Sequence, residues 1–576
     1  MNDRHIKQTI WAKAFIRSLI QAGIKTAVVS PGYRNTALVS ALIEQDSVKT
    51  FSVFDERAAA YLALGQARVT QQPSLLICTS GTAGAHYLPA IIEAKHSGLP
   101  LLIVTADRPL SLDQCGAPQT IDQINLYGQH VLGFFELGDP RDDENSLRAV
   151  TRKAVQAYEK TIFPIAGPVH INFRSEKPLE LVQTRKELMH PAEVRTSRSV
   201  SQICDEDIRE FIRTCNHSQK GLIVAGALPL LSQSLKEQIL SFARVQGFAL
   251  HAEATSQLRF SSPGDLTSPI IENLDLYLRD KDIRQKHRPD MIIQLGHAPV
   301  SKGVQLLLQE CTDIPFWVIS PERWNDVNSQ ATMLVRSTPK DFFEQVEEFK
   351  VVLSEKKPNT EWIQEHARLS STYAERIRRS LQSEALTEGQ ITRALLASVP
   401  DCSTLFAANG LPVRHLDTFG PAHCVTLDIL SQRGTSGIDG QIAGVLGAAT
   451  VSEGPTTALI GDIGFLHDIS ALANAKLVQQ PVVFVVINNA GGRIFEQLPI
   501  AKTGLSESNW QHWTTPQSFD LKQICSGYNV DVHSCTSLSQ LVPALKMAYE
   551  STGVTVLDVK VEPDSFTKES QVLWGQ

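Results

Sequence analysis

Short apolar runs ending in polar turns recur along this chain, and most are followed by a stretch with helical spacing. A buried run of about five residues bounded by Gly or Pro reads as a strand, and strands alternating with helical patterns predict parallel α/β sheets. Residues 26–30 stop at Pro31-Gly32 and give way to helical spacing over 36–44. Residues 74–78 stop at Thr79-Ser80-Gly81-Thr82, with a helix expected over 83–96. The run 101–105 ends at Ala106-Asp107-Arg108-Pro109, and 168–173 reads as a closing strand, after which the polar, basic stretch 174–199 reads as a linker.

A second set of apolar runs covers 221–226, 291–296 and 316–319. It lacks both the full Gly-x-Gly-x-x-Gly and the acidic residue of a dinucleotide fingerprint, which excludes an NAD site of that kind. The charge-rich stretch 344–357 and a helical pattern over 361–383 lead to a third set, with strands expected at 403–408, 456–460, 481–487 and 554–561. At 576 residues the chain is too long for one core. The expectation is an α/β protein of three domains, at 1–185, 200–350 and 375–576, each a mainly parallel sheet flanked by helices. The first and third are expected to be distant copies of one α/β plan.

A formal net charge of −7 argues against a nucleic-acid-binding surface and leaves room for local basic clusters that take small acids. The nine cysteines include no Cys-x-x-Cys, so free thiols in a reducing compartment are expected rather than a disulfide framework or a zinc site. Residues 1–8 are polar and charged, and no apolar run approaches about 18 residues, the length that spans a bilayer. A cytoplasmic protein without a transmembrane segment is expected.

Two strand ends carry the sharpest chemistry: Leu459-Ile460-Gly461-Asp462-Ile463-Gly464 and Val486-Ile487-Asn488-Asn489-Ala490-Gly491-Gly492. Asp462 precedes Asn489 by 27 residues, room for a βαβ unit. Such a unit would hold a carboxylate and an amide oxygen side by side, two hard donors suited to Mg²⁺ or Ca²⁺, with a metal-bound diphosphate as the natural guest. The plain reading of each half alone is a strand-end turn and a helix cap. Phe54-Asp55-Glu56-Arg57 precedes the alanine-rich residues 58–67, and the plain reading of Glu56 is an acidic group at a helix N-terminus.

Taken in order, Ser30-Pro31-Gly32-Tyr33-Arg34, Phe54-Asp55-Glu56-Arg57, Thr79-Ser80-Gly81-Thr82-Ala83, Thr105-Ala106-Asp107-Arg108-Pro109, Gln432-Arg433-Gly434-Thr435-Ser436-Gly437-Ile438-Asp439-Gly440 and Asn488-Asn489-Ala490-Gly491-Gly492-Arg493-Ile494-Phe495 span nearly the whole chain. Together with Gly461-Asp462, they are similar to the 2-succinyl-5-enolpyruvyl-6-hydroxy-3-cyclohexene-1-carboxylate synthases, thiamine-diphosphate enzymes of menaquinone and phylloquinone biosynthesis. The Arg-Gly-Thr-Ser-Gly-Ile-Asp-Gly string is the most specific part.

The resemblance implies thiamine diphosphate with Mg²⁺ or Mn²⁺ as cofactors, the metal being held by Asp462, Asn489 and the Gly491 carbonyl. It implies that Glu56 hydrogen-bonds the aminopyrimidine ring and favours the tautomer that removes the thiazolium proton. Ser80, Gly81, Thr82, Asn409, Ile438, Gly461, Ile463, Gly464, Gly492, Ile494 and Phe495 are implied cofactor contacts, Ile438 propping the two rings in a bent form. The implied reaction decarboxylates 2-oxoglutarate and adds the resulting carbanion to isochorismate. Arg34, Arg108, Gln119, Lys302, Arg414, Arg433, Phe495 and Leu498 are the implied substrate contacts, with Arg34, Gln119, Arg414 and Arg433 also acting near the reacting centre. A homodimer or homotetramer follows, with the cofactor between the first domain of one subunit and the third of another.

Tyr33, Gly303, Gly410 and Gln432 depart from the usual pattern, in segments expected near the substrates. Two other readings therefore stay open: a thiamine-diphosphate decarboxylase or carboligase with a different acceptor, and a non-catalytic paralogue of the fold.

Overall fold

Burial on both faces is what makes the expected strands unbroken apolar runs, and in the computed structural model they form the interiors of three parallel sheets. The structure describes residues 3–182, 194, 196–198, 202–261, 268–321, 323–349, 353 and 357–574. The first sheet contains β1 (Thr26–Val29), β2 (Lys49–Ser52), β3 (Ser74–Cys78), β4 (Leu101–Asp107), β5 (Phe134–Glu136) and β6 (Pro168–Arg174), in the order β2-β1-β3-β4-β6-β5. The second contains β7 (Gly221–Ala225), β8 (Ala249–Ala252), β9 (Met291–Leu295), β10 (Phe316–Ile319) and β11 (Met333–Val335), in the order β11-β10-β9-β7-β8. The third contains β12 (Ser403–Ala407), β13 (Leu427–Leu430), β14 (Thr456–Gly461), β15 (Val482–Asn488), β16 (Asp531–Cys535) and β17 (Val554–Lys560), in the order β13-β12-β14-β15-β17-β16.

Every strand expected from the sequence is an interior strand. The six it missed, β2, β5, β8, β11, β13 and β16, are the six sheet edges. Most of these edge strands expose part of a face: β2 buries one residue of four and β16 one of five. Their short, mixed sequences lose the apolar signal.

Three local expectations change. The segment expected as one helix over 83–96 is a 3₁₀ run, Gly81–Tyr87, followed by a helix, Leu88–Ser97. Pro89 accounts for the restart, because proline suits a first helical turn and breaks an interior one. The linker begins later than 174: Arg174 closes β6 at 1% exposure, and Ser175 and Leu179 are fully buried. Residues 183–193 of that linker lie outside the described residues, as do 350–352 and 354–356 of the charge-rich stretch, whose start belongs to the helix Pro339–Glu347.

The chain packs as two compact units. One comprises Met1–Ser199, Gln432–Glu453 and His467–Gln479; the other comprises Val200–Ser431, Gly454–Leu466 and Gln480–Gln576. The string 432–440 and the helix after it, Gln441–Ala449, therefore belong with the first sheet. That helix packs on Glu56–Thr70 at very short range: a Cβ added at Gly65 would lie 2.1 Å from the Gly444 carbonyl oxygen. Gly440 is held at φ +66°, and a Cβ there would lie 1.9 Å from the Tyr61 ring. Gly440→Ala combines left-handed strain with overpacking and should lower unfolding stability by about 2–4 kcal/mol in urea titrations. Wild-type stability in that variant would show that the contact yields.

No helix among the described residues is long and apolar enough to cross a membrane.

Candidate active site

In the second unit β14 and β15 are neighbours in register, Gly461 opposite Ile487, so their C-terminal ends place Asp462 and Asn489 at one end of the sheet. The crossover between them is a six-residue helix, Asp462–His467, and a 3₁₀ run, Ile469–Leu477. Asp462 is 3% exposed. One carboxylate oxygen accepts the Ile463 N–H at 2.7 Å and the other the Gly491 N–H at 2.8 Å. Burial nevertheless pushes its carboxyl up to about 6. Asn489, also buried, donates from Nδ2 to Glu388 Oε1 at 2.8 Å.

Among the described residues no group of three or more His, Cys, Asp or Glu forms a metal cluster. The donors expected from the sequence are one carboxylate, one amide and one peptide carbonyl. That set would suit Mg²⁺, a hard cation that takes oxygen ligands, and would not suit zinc. Gly461 ends β14, Ile463 and Gly464 lie in the helix that follows, and Gly492 opens the 3₁₀ turn Arg493–Gln497 that carries Ile494 and Phe495.

A cavity of about 850 Å³ in the same unit is lined by Arg414, Lys302, Ile494 and Leu498, four of the residues singled out from sequence. Arg414 lies on the helix Leu411–Phe419, which follows Asn409 and Gly410, and donates to the Gly410 carbonyl at 2.5 Å. Lys302 opens the helix Lys302–Glu310 with its side chain exposed. Phe495 is half-buried and does not line this cavity.

Arg279, Lys502 and Trp574 also line it and were missed by the sequence reading. Arg279 is paired with Asp275 at 3.0 Å and stacked 4.1 Å over the Trp574 ring. An i,i+4 Asp–Arg pair reads from sequence as an ordinary helix surface, so no local signal marks it.

The four departures each have a structural setting. Gly303 leaves no room for a second basic residue, since a Cβ there would lie 2.2 Å from the Asp275 carbonyl oxygen. Gly410 adopts φ +99°, ψ −136°, a conformation a serine would strain to reach. Tyr33 is exposed and donates to Glu180 at 2.8 Å, and buried Gln432 donates to the Gly440 carbonyl at 3.1 Å.

In the first unit Glu56 is the first residue of its helix and half-buried. The cap is made instead by Asp55, whose Oδ1 accepts the Arg57 and Ala58 N–H groups at 3.0 and 3.3 Å. Arg34 is 5% exposed and donates to the Ser175 carbonyl at 2.8 Å. Burial, then the nearby Arg108 charge, lowers its pKa against the opposing pull of Asp107. Arg108 in turn donates to the Pro118 carbonyl. The loops of Ser80 and Gln119 are laced together: Ser80 Oγ donates to the Gln119 carbonyl at 3.0 Å, and Gln119 Nε2 to the Ser80 carbonyl at 3.2 Å. Gly81 donates its N–H to Gln123 at 3.1 Å, and Thr82 beside it is exposed.

Arg433 and Ile438, both half-buried, sit in a string pinned by Glu93. Its carboxylate accepts the Gly434 and Thr435 N–H groups at 3.0 and 2.7 Å. Burial works against that charge, but Arg68, Ser97 and the two N–H groups outweigh it and hold the carboxyl below the usual range. Glu93 was another residue missed by sequence, on the segment expected only as a helix.

Three family models match in order. "Thiamine pyrophosphate enzyme, N-terminal TPP binding domain" matches residues 11–126, "Middle domain of thiamine pyrophosphate" 194–407, and "Thiamine pyrophosphate enzyme, C-terminal TPP binding domain" 414–559. The chain is 38% identical to the 2-succinyl-5-enolpyruvyl-6-hydroxy-3-cyclohexene-1-carboxylate synthase of Sorangium cellulosum, over 98% of this chain and 94% of the relative. Synthases of the same name from Oceanobacillus iheyensis and Haloarcula marismortui are 32% and 31% identical, over 99% and 96% of this chain and 97% and 95% of their own lengths. With strand tips that offer hard oxygen donors, a cation-lined cavity in the same unit and relatives matched over nearly their whole length, the chain belongs to the 2-succinyl-5-enolpyruvyl-6-hydroxy-3-cyclohexene-1-carboxylate synthase family of thiamine pyrophosphate enzymes.

Proposed function

We propose that this chain decarboxylates 2-oxoglutarate and joins the remaining four-carbon unit to isochorismate, releasing CO₂ and 2-succinyl-5-enolpyruvyl-6-hydroxy-3-cyclohexene-1-carboxylate for menaquinone biosynthesis. The observation that carries the reading is the pairing, within one unit, of the Asp462–Asn489 oxygen donors with a cavity bearing Arg414 and Lys302. Thiamine diphosphate, when bound, supplies the thiazolium carbon that takes up the 2-oxo acid and the electron sink for loss of CO₂. Asp462, Asn489 and the Gly491 carbonyl hold Mg²⁺ or Mn²⁺ on its diphosphate. Glu56 moves the proton that primes the cofactor.

Arg414 and Lys302 bind carboxylates of the larger acid, isochorismate, for which a cavity of about 850 Å³ is ample. A guanidinium takes a carboxylate through two parallel bonds, fixing orientation as well as charge. Ile494 and Leu498 supply an apolar wall that excludes water and strengthens those contacts. Arg34, Arg108, Gln119 and Arg433 complete the recognition of the acids in the assembled enzyme. We assign pyrimidine, central and diphosphate roles to domains 1–185, 200–350 and 375–576, a homodimer as the smallest active form, and a cytoplasmic location.

The deciding assay offers 2-oxoglutarate with and without isochorismate and follows CO₂ and the adduct by mass spectrometry. Adduct formation supports the reading; CO₂ release without adduct points to another acceptor. Calorimetry that shows no binding of thiamine diphosphate would instead indicate a non-catalytic paralogue. Arg414→Ala should raise the KM for isochorismate about tenfold or more while isochorismate-independent CO₂ release stays within about twofold of wild type. Equal loss of both rates would remove Arg414 from acceptor binding.

A further inference from the structure

Behind Asn489 lies a buried carboxylate that the proposed reaction does not use. Glu388 is 1% exposed and opens the helix Glu388–Ser398. Thr387 and Gln390 close a reciprocal cap around that start, at 3.2 and 3.1 Å, so the position of Glu388 is set by the backbone. Glu388 Oε1 accepts the Asn489 Nδ2–H at 2.8 Å, and Oε2 is bonded to His415 Nε2. His415 is fully buried on the helix that also carries Arg414, with the Phe566 ring packed edge-on at 4.6 Å.

A carboxylate oxygen accepts hydrogen bonds. It therefore selects the nitrogen end of the Asn489 amide and leaves the oxygen end turned away. A flipped amide would set oxygen against oxygen in a buried site, at the cost of an unpaired buried acceptor.

We infer that Glu388, held by His415, is a positioning residue that orients the Asn489 amide with Oδ1 presented to the metal. The inference rests on the reading of Asn489 as a metal ligand. Partners of this kind behind a ligand commonly contribute about 10–100-fold to metal affinity.

The test is Mn²⁺ binding to the full-length protein followed by electron paramagnetic resonance, at saturating thiamine diphosphate and without substrates. Glu388→Ala should weaken Mn²⁺ about tenfold or more. Glu388→Gln should stay within about threefold of wild type, because its carbonyl oxygen still accepts from Asn489 while its amide donates to His415 once that ring carries its proton on Nδ1. The KM for 2-oxoglutarate at saturating metal and cofactor should not move in either variant. Wild-type Mn²⁺ affinity in Glu388→Ala, or an equal loss in Glu388→Gln, overturns the inference.

Asn489→Ala separates the two readings. If it leaves Mn²⁺ binding intact, the ligand assignment fails first; if only Asn489→Ala weakens binding, the positioning role alone fails. Should Glu388→Ala not fold, the reciprocal pair decides. Asn489→Asp places two carboxylates face to face and weakens binding, and adding Glu388→Gln supplies the missing donor. Recovery of about tenfold supports the inference, and no recovery overturns it.

Discussion

Glu56→Gln leaves a folded protein that releases CO₂ from 2-oxoglutarate about 10²–10⁴-fold more slowly, the range a positioned proton-transfer group supplies. The fold survives because Asp55, not Glu56, caps the helix through the Arg57 and Ala58 N–H groups. Removing the Glu56 charge forfeits only its interaction with the helix dipole, about 0.3–1 kcal/mol. Glutamine keeps the shape and the hydrogen-bonding reach of the side chain and cannot take a proton, so the loss falls on turnover rather than on cofactor affinity. The measurement is CO₂ release at saturating thiamine diphosphate and Mg²⁺, beside circular dichroism. Full decarboxylation by the variant would sink the role given to Glu56.

Asp462→Asn weakens metal-dependent binding of thiamine diphosphate about a hundredfold or more, since it removes the one carboxylate among the proposed metal ligands, and even outer partners are worth about 10–100-fold. Calorimetric titrations at high and at chelated Mg²⁺ separate the two components. Metal-independent affinity should match wild type, and an unchanged metal-dependent affinity would count against the assignment. Stability should respond in the opposite direction. The carboxylate is buried, and burial pushes its carboxyl up to about 6, so the metal-free fold holds this charge against its own preference. The variant without metal should melt no lower than wild type, the usual trade between a site and the fold that carries it. A lower melting temperature would mean that the two N–H contacts to the carboxylate outweigh its burial.

The proposed site was unevenly legible. Asp462 and Asn489 could be brought together from sequence because both end interior strands of one parallel sheet, and spacing along a βαβ crossover determines which strand tips are neighbours. Arg414, Lys302, Ile494 and Leu498 were named singly, and nothing local said that they line one cavity. Glu93, Arg279, Glu388 and His415 were passed over. Each does its work through a partner distant in the chain or through packing, and each looks locally like an ordinary helix residue.

By itself the sequence determined the three parallel α/β sheets, their eleven interior strands and the thiamine pyrophosphate enzyme family, because full burial of a strand and a glycine-bearing turn at its end both impose local composition. Tertiary structure alone decided the six edge strands, which are short and, except for β8, partly exposed, and the membership of Gln432–Glu453 and His467–Gln479 in the first unit. It alone decided which cations share a cavity and which buried carboxylate faces Asn489. Those are contacts across hundreds of residues or between neighbouring elements, set by how crossovers pack on the sheets, and no periodicity along the chain records them.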